Sequence, residues 1–311
     1  MLPRRSITSS LSFALVLAPF ALACSAGGGN EPAEVQGPSG GAGTVSPTFN
    51  DGPTFVPTVP AGNNGANLGG VSNEEDPECD NVLDIVYRDF DESHPDFEMP
   101  DFSGDVVRLN LVQPNLGTDS KPVFRDSIGC PMNPQSRREC ANWDPERPSI
   151  TSATTFDQWY RTTPGVNVEI AGTLVLEEPE PNRYVYDSTA FFPIGPEQGL
   201  GVTPANNNPG GRNFLFTSEI HVNFTYEAGQ RFTFRGDDDL WIFVNNKLAL
   251  DLGSMHGPEE GTIDFDALAD FLNIVPGRVY PMDIFHAERH TTGSNFRFET
   301  NITCFVPSIL R

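Results

Sequence analysis

Beyond its N-terminal quarter, the chain alternates hydrophobic and polar residues with the two-residue period of β-strands. In the stretch HVNFTYE, Val222, Phe224 and Tyr226 fall on one face, opposite polar side chains. In RFTFR, Phe232 and Phe234 alternate with arginine and threonine in the same way. The stretches VVRLNLV, TLVLEE and RYVYD repeat the pattern. Alternation of this period over short runs predicts half-buried strands.

One run, LWIFV at residues 240–244, is apolar on both faces. A short run of this kind predicts a strand that is buried on both sides. Asn245 and Asn246 come directly after it, and asparagine tolerates a positive φ. The sequence therefore predicts a tight turn here, with LALDL returning as the second strand of a hairpin.

The one persuasive helical pattern is TIDFDALADFLN. Thr262 or Asp264 can cap its first turn, and Pro276 with Gly277 prevents the helix from continuing further along the chain. Its apolar residues share a face at helical spacing: Ile263, Leu268, Phe271 and Leu272. Many strands, one short helix and frequent Gly and Pro over residues 79–305 predict an all-β sandwich or barrel with long loops.

The first 23 residues have the features of a signal peptide. Arg4 and Arg5 precede an apolar stretch too short for a stable membrane helix, and ALA fits the small-x-small cleavage rule. Cys24 comes immediately afterwards, so ALAC resembles a bacterial lipobox whose cysteine is lipidated. We expect an exported protein, either an outer-membrane or cell-surface lipoprotein held to the membrane only through Cys24, or a freely secreted one.

Residues 24–78 are rich in Gly, Pro, Ser, Asn and Thr and contain no Lys or Arg. Such a segment cannot bury enough apolar surface to offset its ordering entropy, which predicts a disordered linker. The whole chain has a formal net charge of −23. This charge argues against nucleic acid as a partner and favours cations or neutral ligands such as sugars.

Four further cysteines come after Cys24, and an even number in an exported chain predicts two disulfides. No CxxC pair is present, which disfavours a zinc site. Of the three possible pairings we favour Cys130–Cys140, which closes a short loop, with Cys79–Cys304, which ties the ends of the domain together.

Three consecutive carboxylates, Asp237, Asp238 and Asp239, stand directly before the buried run. Like charges near a low-dielectric core raise one another's pKa values or recruit a cation. Calcium is the natural one, because it accepts six to eight oxygen ligands at about 2.4 Å in irregular geometry. The EF-hand pattern does not fit, since Trp241 falls where a ligand should be. An acidic, solvated turn is the alternative.

The two long stretches NFLFTSEIHVNFTYEAGQRFTFRGDDDLWIFVNNKLALDLGSMHG and IDFDALADFLNIVPGRVYPMDIFHAERHTTGSNFRFET strongly resemble the fibro-slime domain family, which is similar to PA14 domains. VYRDFDESHPDFE, TTFDQWYRTTPGVN and DSTAFFPI extend the resemblance over roughly residues 80–304. It implies a β-barrel or sandwich of the kind used in adhesins, glycosidases and toxins. It also implies that Asp237 and Asp238, joined by a cis peptide bond, hold calcium, which in turn holds sugar hydroxyls. Asp239 replaces a usual glycine and is either a third ligand or faces away.

Further candidates lie in HAERHTTGSN. On a strand, His286, Glu288 and His290 would share a face, but the two histidines would lie about 13 Å apart, which disfavours a transition metal. Glu288 or Asn295 is instead expected to reach the calcium ion from a second loop. His256 either lines the same pocket or is an ordinary loop histidine.

Trp159 is either a sugar-stacking platform or, as we favour, a core residue. The sequence thus predicts a calcium-dependent module without catalytic activity that binds an extracellular polysaccharide, glycoconjugate or matrix. A structural envelope or matrix protein is the alternative. A hydrolase using Asp238 and Glu288 as an acid/base pair is less favoured, because PA14-like modules normally accompany a separate catalytic domain.

Overall fold

The computed structural model describes residue 79 and residues 81–98, 106–132, 148–200, 211–291 and 293–308. The predicted signal peptide, the predicted linker, Cys24 and Cys140 lie outside these residues. The described part forms two antiparallel sheets, one of seven strands and one of five, with a separate two-stranded ladder. The strand order is open in both larger sheets, so the all-β prediction is confirmed as a sandwich.

The strands in chain order are β1 (Val82–Phe90), β2 (Arg108–Leu109), β3 (Cys130–Pro131), β4 (Asn167–Val175), β5 (Glu177–Glu180), β6 (Arg183–Ser188), β7 (Phe216–Tyr226), β8 (Arg231–Gly236), β9 (Asp239–Val244), β10 (Lys247–Leu252), β11 (Glu259–Asp264), β12 (Arg278–Glu288), β13 (Phe296–Thr300) and β14 (Phe305–Pro307). The large sheet has the order β10-β9-β12-β7-β1-β4, with β14 also paired to β7. The smaller sheet has the order β11-β8-β13-β6-β5.

The main core lies between the two sheets and confirms the alternating pattern. Val222, Phe224 and Tyr226 of β7 and Phe232 and Phe234 of β8 are all buried in it. Their burial removes large apolar surfaces from water, which stabilises the sandwich.

A second, aromatic core covers part of the outer face of the large sheet. Leu240 and Ile242 of β9 face the main core, while Trp241 and Phe243 face this second core. The strand is therefore buried on both faces, as the continuous apolar run predicts. Trp159 belongs to the second core and is fully buried.

The predicted helix is α2 (Phe265–Leu272), capped by Asp264, whose side chain accepts from the Ala267 backbone N–H. Phe271 was predicted on its buried face but is 51% exposed. The helix is only two turns long, and the Phe271 ring instead lies under the ammonium group of Lys247, whose nitrogen is 5.4 Å from the ring centre.

A second helix, α1 (Ala153–Asp157), was not predicted. It is one turn long and lacks a helical apolar pattern. Its signal in the sequence is the pair Ser152 and Thr155, which form a reciprocal capping box.

The strand predicted for VVRLNLV is mostly wrong. Only Arg108 and Leu109 pair as a strand, because Asn110 adopts a positive φ of 67° and turns the chain away. The predicted turn at Asn245 and Asn246 is confirmed, with φ values of 48° and 67°. Both residues thus supply the left-handed conformation that a tight hairpin needs.

The disulfide Cys79–Cys304 is confirmed and joins positions 225 residues apart. Cys130 is also disulfide-bonded, while its predicted partner Cys140 falls outside the described residues, so that pairing stays a prediction. Neither helix among the described residues has the length or apolar character needed to cross a membrane.

A charged network lies on the outer face of the large sheet. Glu219 accepts from Arg88 at 2.9 Å and from Lys121 at 2.6 Å. His221 Nδ1 lies 2.6 Å from Asp283 Oδ1, and its Nε2 lies 3.5 Å from Glu219 Oε2. Burial lowers the pKa of His221, but the hydrogen bond with Asp283 and the nearby Glu219 carboxylate outweigh it, so this pKa is raised.

We expect the substitution His221→Gln to destabilise the protein most at mildly acidic pH. A raised folded-state pKa gives stability that is full below the unfolded pKa and is lost as pH rises through the folded one. At pH 6 the cost should be about 1.5–3 kcal/mol, the range for hydrogen bonds to charged groups. Urea unfolding between pH 5.5 and 8.5 measures it. The exposed control His290→Gln should change little, and a cost of His221→Gln that grows with pH would contradict the assignment.

Candidate metal centre

The aspartate turn joins β8 to β9 at one end of the sandwich. Its Asp237–Asp238 peptide bond is cis, as the family resemblance implies. The carboxylate of Asp237 accepts from the Asn295 backbone N–H and, at 2.8 Å, from the Asn295 amide Nδ2. Asn295 therefore lies on a loop that contacts the turn, and its role as an ion ligand stays a prediction.

Asp238 is held by two backbone groups. Its Oδ1 accepts from the His256 N–H and its Oδ2 from the Arg289 N–H, each at 3.1 Å. Burial raises the pKa of Asp238 to about 7; Arg289 opposes this change and Asp239 adds to it. Asp237 is also shifted upward in pKa, mainly by burial. Both carboxylates are thus costly to keep charged without a cation.

Glu288 lies at the end of β12, beside this pair, and is fully buried. Neither of its carboxylate oxygens has a hydrogen-bond partner among the described residues. The Ser294 hydroxyl donates to the Phe191 carbonyl at 2.8 Å instead. Burial raises the pKa of Glu288 well above its usual range, and the charges of Asp238 and Asp237 raise it further. The Ser294 side chain and the His290 backbone N–H lie close enough to lower this pKa slightly, but neither meets the geometry of a hydrogen bond to the carboxylate. A buried carboxylate without a partner has a large desolvation cost that a bound cation would offset.

Asp239 faces away from this group. Its carboxylate accepts from Arg289 Nε at 2.7 Å and from the Ser254 backbone N–H. The Arg289 guanidinium is fully buried and also donates to the carbonyls of Asp96 and Ser149. The sequence left two roles open for Asp239, a third ligand or a side chain that faces away. The structure has the side chain facing away.

Two of the predicted ligand-binding side chains do not line the site. The ring of His256 lies against the carbonyls of Gly257 and Leu252, so only its backbone N–H reaches Asp238. Trp159 donates its indole N–H to Asp96 and has no exposed surface, so it cannot stack on a sugar. Its ring instead lies beneath Arg289, 4.7 Å from the guanidinium carbon. The core interpretation of Trp159 is therefore the one that the structure supports.

The HAERH histidines have separate surroundings. His286 is buried between the Ser218 hydroxyl and the Asp237 carbonyl, at 3.1 and 2.8 Å from its two ring nitrogens. Burial lowers its pKa to about 4, so the ring is neutral and its Nε2–H donates to that carbonyl. The His290 side chain is exposed, and its Nε2 is 3.9 Å from Glu98. His286 thus holds the aspartate turn, a role that the sequence did not indicate.

The donor chemistry fits a hard divalent cation. Asp237, Asp238 and Glu288 supply carboxylate oxygens, and the Asn295 amide oxygen is adjacent. These are the ligand types that calcium prefers. Within the described residues, no group of three or more His, Cys, Asp or Glu side chains already has the spacing of a metal site. The fit therefore rests on the orphaned Glu288 carboxylate and the type of donors, and ion binding would require the three carboxylates to converge.

Comparison with known proteins identifies relatives in Dictyostelium discoideum. Protein psiD is 36% identical over 227 residues, which cover 72% of this chain and 42% of psiD. Protein psiC is 35% identical and covers 73% and 42% of the two chains. Protein psiR is 34% identical and covers 72% and 21%. The chain is therefore similar to part of the psi proteins. It spans less than half the length of these relatives, and no family model matches it.

Solved structures give weaker matches. The PA14 sugar-binding domain from an RTX adhesin covers 29% of this chain and 47% of its own, with 16% identity and a TM-score of 0.20. A GH31 α-xylosidase from Xanthomonas citri covers 45% of this chain and 16% of its own, with 9% identity and a TM-score of 0.24. Likenesses at this level do not establish a shared fold.

Proposed function

We propose that this chain is a PA14-like, fibro-slime-type module that binds extracellular glycan through a calcium ion at Asp237, Asp238 and Glu288, without catalysing a reaction. The observation that carries the proposal is the buried Glu288 carboxylate, which has no hydrogen-bond partner among the described residues and lies beside two further buried carboxylates. The sequence resemblance to PA14-type calcium sites supports it independently. We further propose that the module acts outside the cell, either anchored through Cys24 or secreted.

The chain's own residues prepare the site. The N–H groups of His256 and Arg289 fix the orientation of Asp238, and Asn295 fixes that of Asp237. Because the Asn295 Nδ2 donates to Asp237, the Oδ1 of the same amide would be the atom that binds the ion. Bound calcium would supply a hard electrophilic centre for pairs of sugar hydroxyls. A general acid or base must itself reach the glycosidic oxygen, whereas an ion ligand acts on the sugar through the bound ion. The complete burial of Glu288 therefore disfavours the hydrolase alternative more than it disfavours the calcium site.

Calorimetric titration of calcium into the full chain tests the proposal. We expect saturable binding in the wild type, and at least a hundredfold loss in Asp237→Asn/Asp238→Asn, which keeps the shape but removes two ligand charges. The double variant Asp157→Asn/Asp187→Asn makes the same change in net charge at exposed positions and should bind as the wild type does.

Glycan binding is then compared with calcium and with EDTA. Loss of binding in EDTA with an unchanged circular dichroism spectrum supports a calcium-dependent glycan module. Calcium that only raises the melting temperature favours the structural-protein alternative. Polysaccharide hydrolysis that Asp238→Asn abolishes favours the enzyme. A folded wild type that binds no calcium contradicts the proposed site.

A further inference from the structure

A cavity of about 350 Å³ opens at the edge of the sandwich where β4 and β1 face β6, apart from the candidate metal centre. Its wall combines aromatic rings with small hydroxyl and amide side chains: Tyr87, Tyr186, Phe191, Phe192, Ser188 and Gln198. None of the residues that line it is charged. We call it the Tyr87–Tyr186 cleft.

Gly172 leaves room for the Tyr87 ring in the cleft wall. It lies on the edge strand β4, opposite Ile85 of β1. A Cβ at this position would come within 2.6 Å of Tyr87 Cε2. Any larger residue would therefore push the tyrosine out of its place, so glycine is what allows the Tyr87 ring to lie against β4.

The two phenols present unused hydrogen-bonding groups to the cleft. Tyr87 is only 5% exposed, and no hydrogen bond joins its hydroxyl, or that of Tyr186, to another described residue. Neither hydroxyl oxygen is among the fully buried polar atoms that lack a partner, so both remain accessible from the cleft. The phenols are close enough for Tyr186 to add to the effect of burial in raising the pKa of Tyr87. Each hydroxyl can therefore exchange water for a ligand hydroxyl group as its hydrogen-bond partner.

The cleft is built onto the same loop as the candidate metal centre. The Phe191 N–H donates to the Ser294 carbonyl at 3.0 Å, and the Ser294 hydroxyl donates back to the Phe191 carbonyl at 2.8 Å. The next residue, Asn295, holds Asp237. The Phe191 ring lies 6.3 Å from the Tyr87 ring and 6.0 Å from the Tyr186 ring, between ring centres. Phe191, which lines the cleft, is thus hydrogen-bonded to the residue next to Asn295, and the two sites have no lining side chain in common.

The lining restricts the chemistry of the ligand. Uncharged walls give no ion pair, so a neutral ligand is favoured. Aromatic rings pack against a flat apolar face, while free phenols require hydroxyl or other polar partners. A pyranose ring carries both, with C–H groups on its faces and hydroxyls at its rim. The larger cavity beside Asp119, Lys121, His221 and Asp283 differs, because its charged groups already pair with one another or with neighbouring residues.

We propose that the Tyr87–Tyr186 cleft is a second glycan subsite, which binds a neutral pyranose residue without calcium. A glycan that reaches both sites would gain affinity from the linkage of two weak contacts. This proposal does not need the calcium ion, so it stands or falls separately from the proposed metal centre.

Saturation-transfer NMR on the full chain tests it. The probes are methyl β-D-glucopyranoside, methyl β-D-galactopyranoside and methyl α-D-mannopyranoside, with acyclic sorbitol as the control, all in EDTA. Irradiation of the protein's aromatic protons should transfer saturation to the ring protons of at least one pyranoside and not to sorbitol. Asp237→Asn/Asp238→Asn should retain this transfer. Tyr87→Phe/Tyr186→Phe, which removes only the two hydroxyls, should weaken binding about tenfold or more.

Three results would overturn the subsite: no transfer in EDTA to any of the pyranosides, transfer that appears only when the measurement is repeated in excess calcium, or an affinity that Tyr87→Phe/Tyr186→Phe leaves unchanged. Tyr186→Phe alone covers the case in which the double variant does not fold, because Tyr186 is half-buried and loses no hydrogen bond with a described residue. It should still weaken binding at least threefold. Failure of the calcium titration together with retained transfer would remove the metal centre and leave the cleft.

Discussion

Replacing Glu288 with glutamine is expected to stabilise the calcium-free protein and, at the same time, to weaken calcium binding at least tenfold. The buried carboxylate has no hydrogen-bond partner among the described residues, and an unsatisfied charged group of this kind costs more than the roughly 1–3 kcal/mol of a neutral one. Glutamine keeps the size of the side chain and removes the charge. The free energy of unfolding in EDTA should therefore rise by about 1 kcal/mol or more. The calcium site loses one of three carboxylates, and the affinity of calcium sites depends on ligand charge.

The gain in stability should depend on pH with a defined sign. Burial raises the pKa of Glu288 in the folded state, so the unfolded state loses this proton first as pH rises. Glu288 thus reduces stability above its unfolded pKa and has no such effect below it. We expect the advantage of glutamine to be full at pH values above the raised folded-state pKa and to disappear towards pH 4.

Urea unfolding in EDTA and calcium calorimetry give the two quantities for Glu288→Gln. The exposed substitution Glu259→Gln makes the same chemical change and should alter neither. A variant that loses stability in EDTA would show that Glu288 has a structural partner. A variant that binds calcium with unchanged affinity would remove Glu288 from the proposed ligands.

The sequence predicts the strands well because burial on one face imposes an alternation that is local. Phe232 and Phe234 alternate with exposed arginines, and the pattern survives in the structure. The double-sided run at β9 even indicates a second layer over the sheet. The composition of that layer could not be predicted, because Phe156 and Trp159 come from a segment without strand period. One-turn α1, which carries Phe156, has too few residues to show a periodic signal.

The candidate metal centre is likewise predicted from the sequence only in part. The charge run at Asp237–Asp239 is visible in the sequence, as is the proximity of Asn295 through the family resemblance. The different roles of the three aspartates could not be predicted, because the orientation of Asp239 depends on Arg289. This arginine also contacts Asp96, which lies 193 residues away in the chain. Nothing local distinguishes an arginine that will be buried against a tryptophan from one that will be solvated. The pairing of Asp239 with Arg289 therefore decides which of the aspartates points away from the metal centre.

Arg289→Met is expected to lower the free energy of unfolding by about 3–5 kcal/mol, because it leaves the buried Asp239 carboxylate without its cation. Both side chains of this pair are fully buried. Asp239→Asn should cost a similar amount by leaving the guanidinium uncompensated. The double variant should cost less than the sum of the two, since it removes both charges, and urea unfolding of the four proteins measures this coupling.

The exposed pair of Arg161 and Asp119, which lie 2.8 Å apart, provides the matched control. Arg161→Met should cost less than about 1 kcal/mol, because solvent screens ion pairs at the surface. If Arg289→Met costs no more than this control, the Arg289–Asp239 pair is not what holds Asp239 away from the metal centre. Asp239 would then return to the candidate ligands, and calcium titration of Asp239→Asn would test that role. If the cost is large and the coupling strong, Asp239 anchors the turn, and the ion is left to Asp237, Asp238 and Glu288.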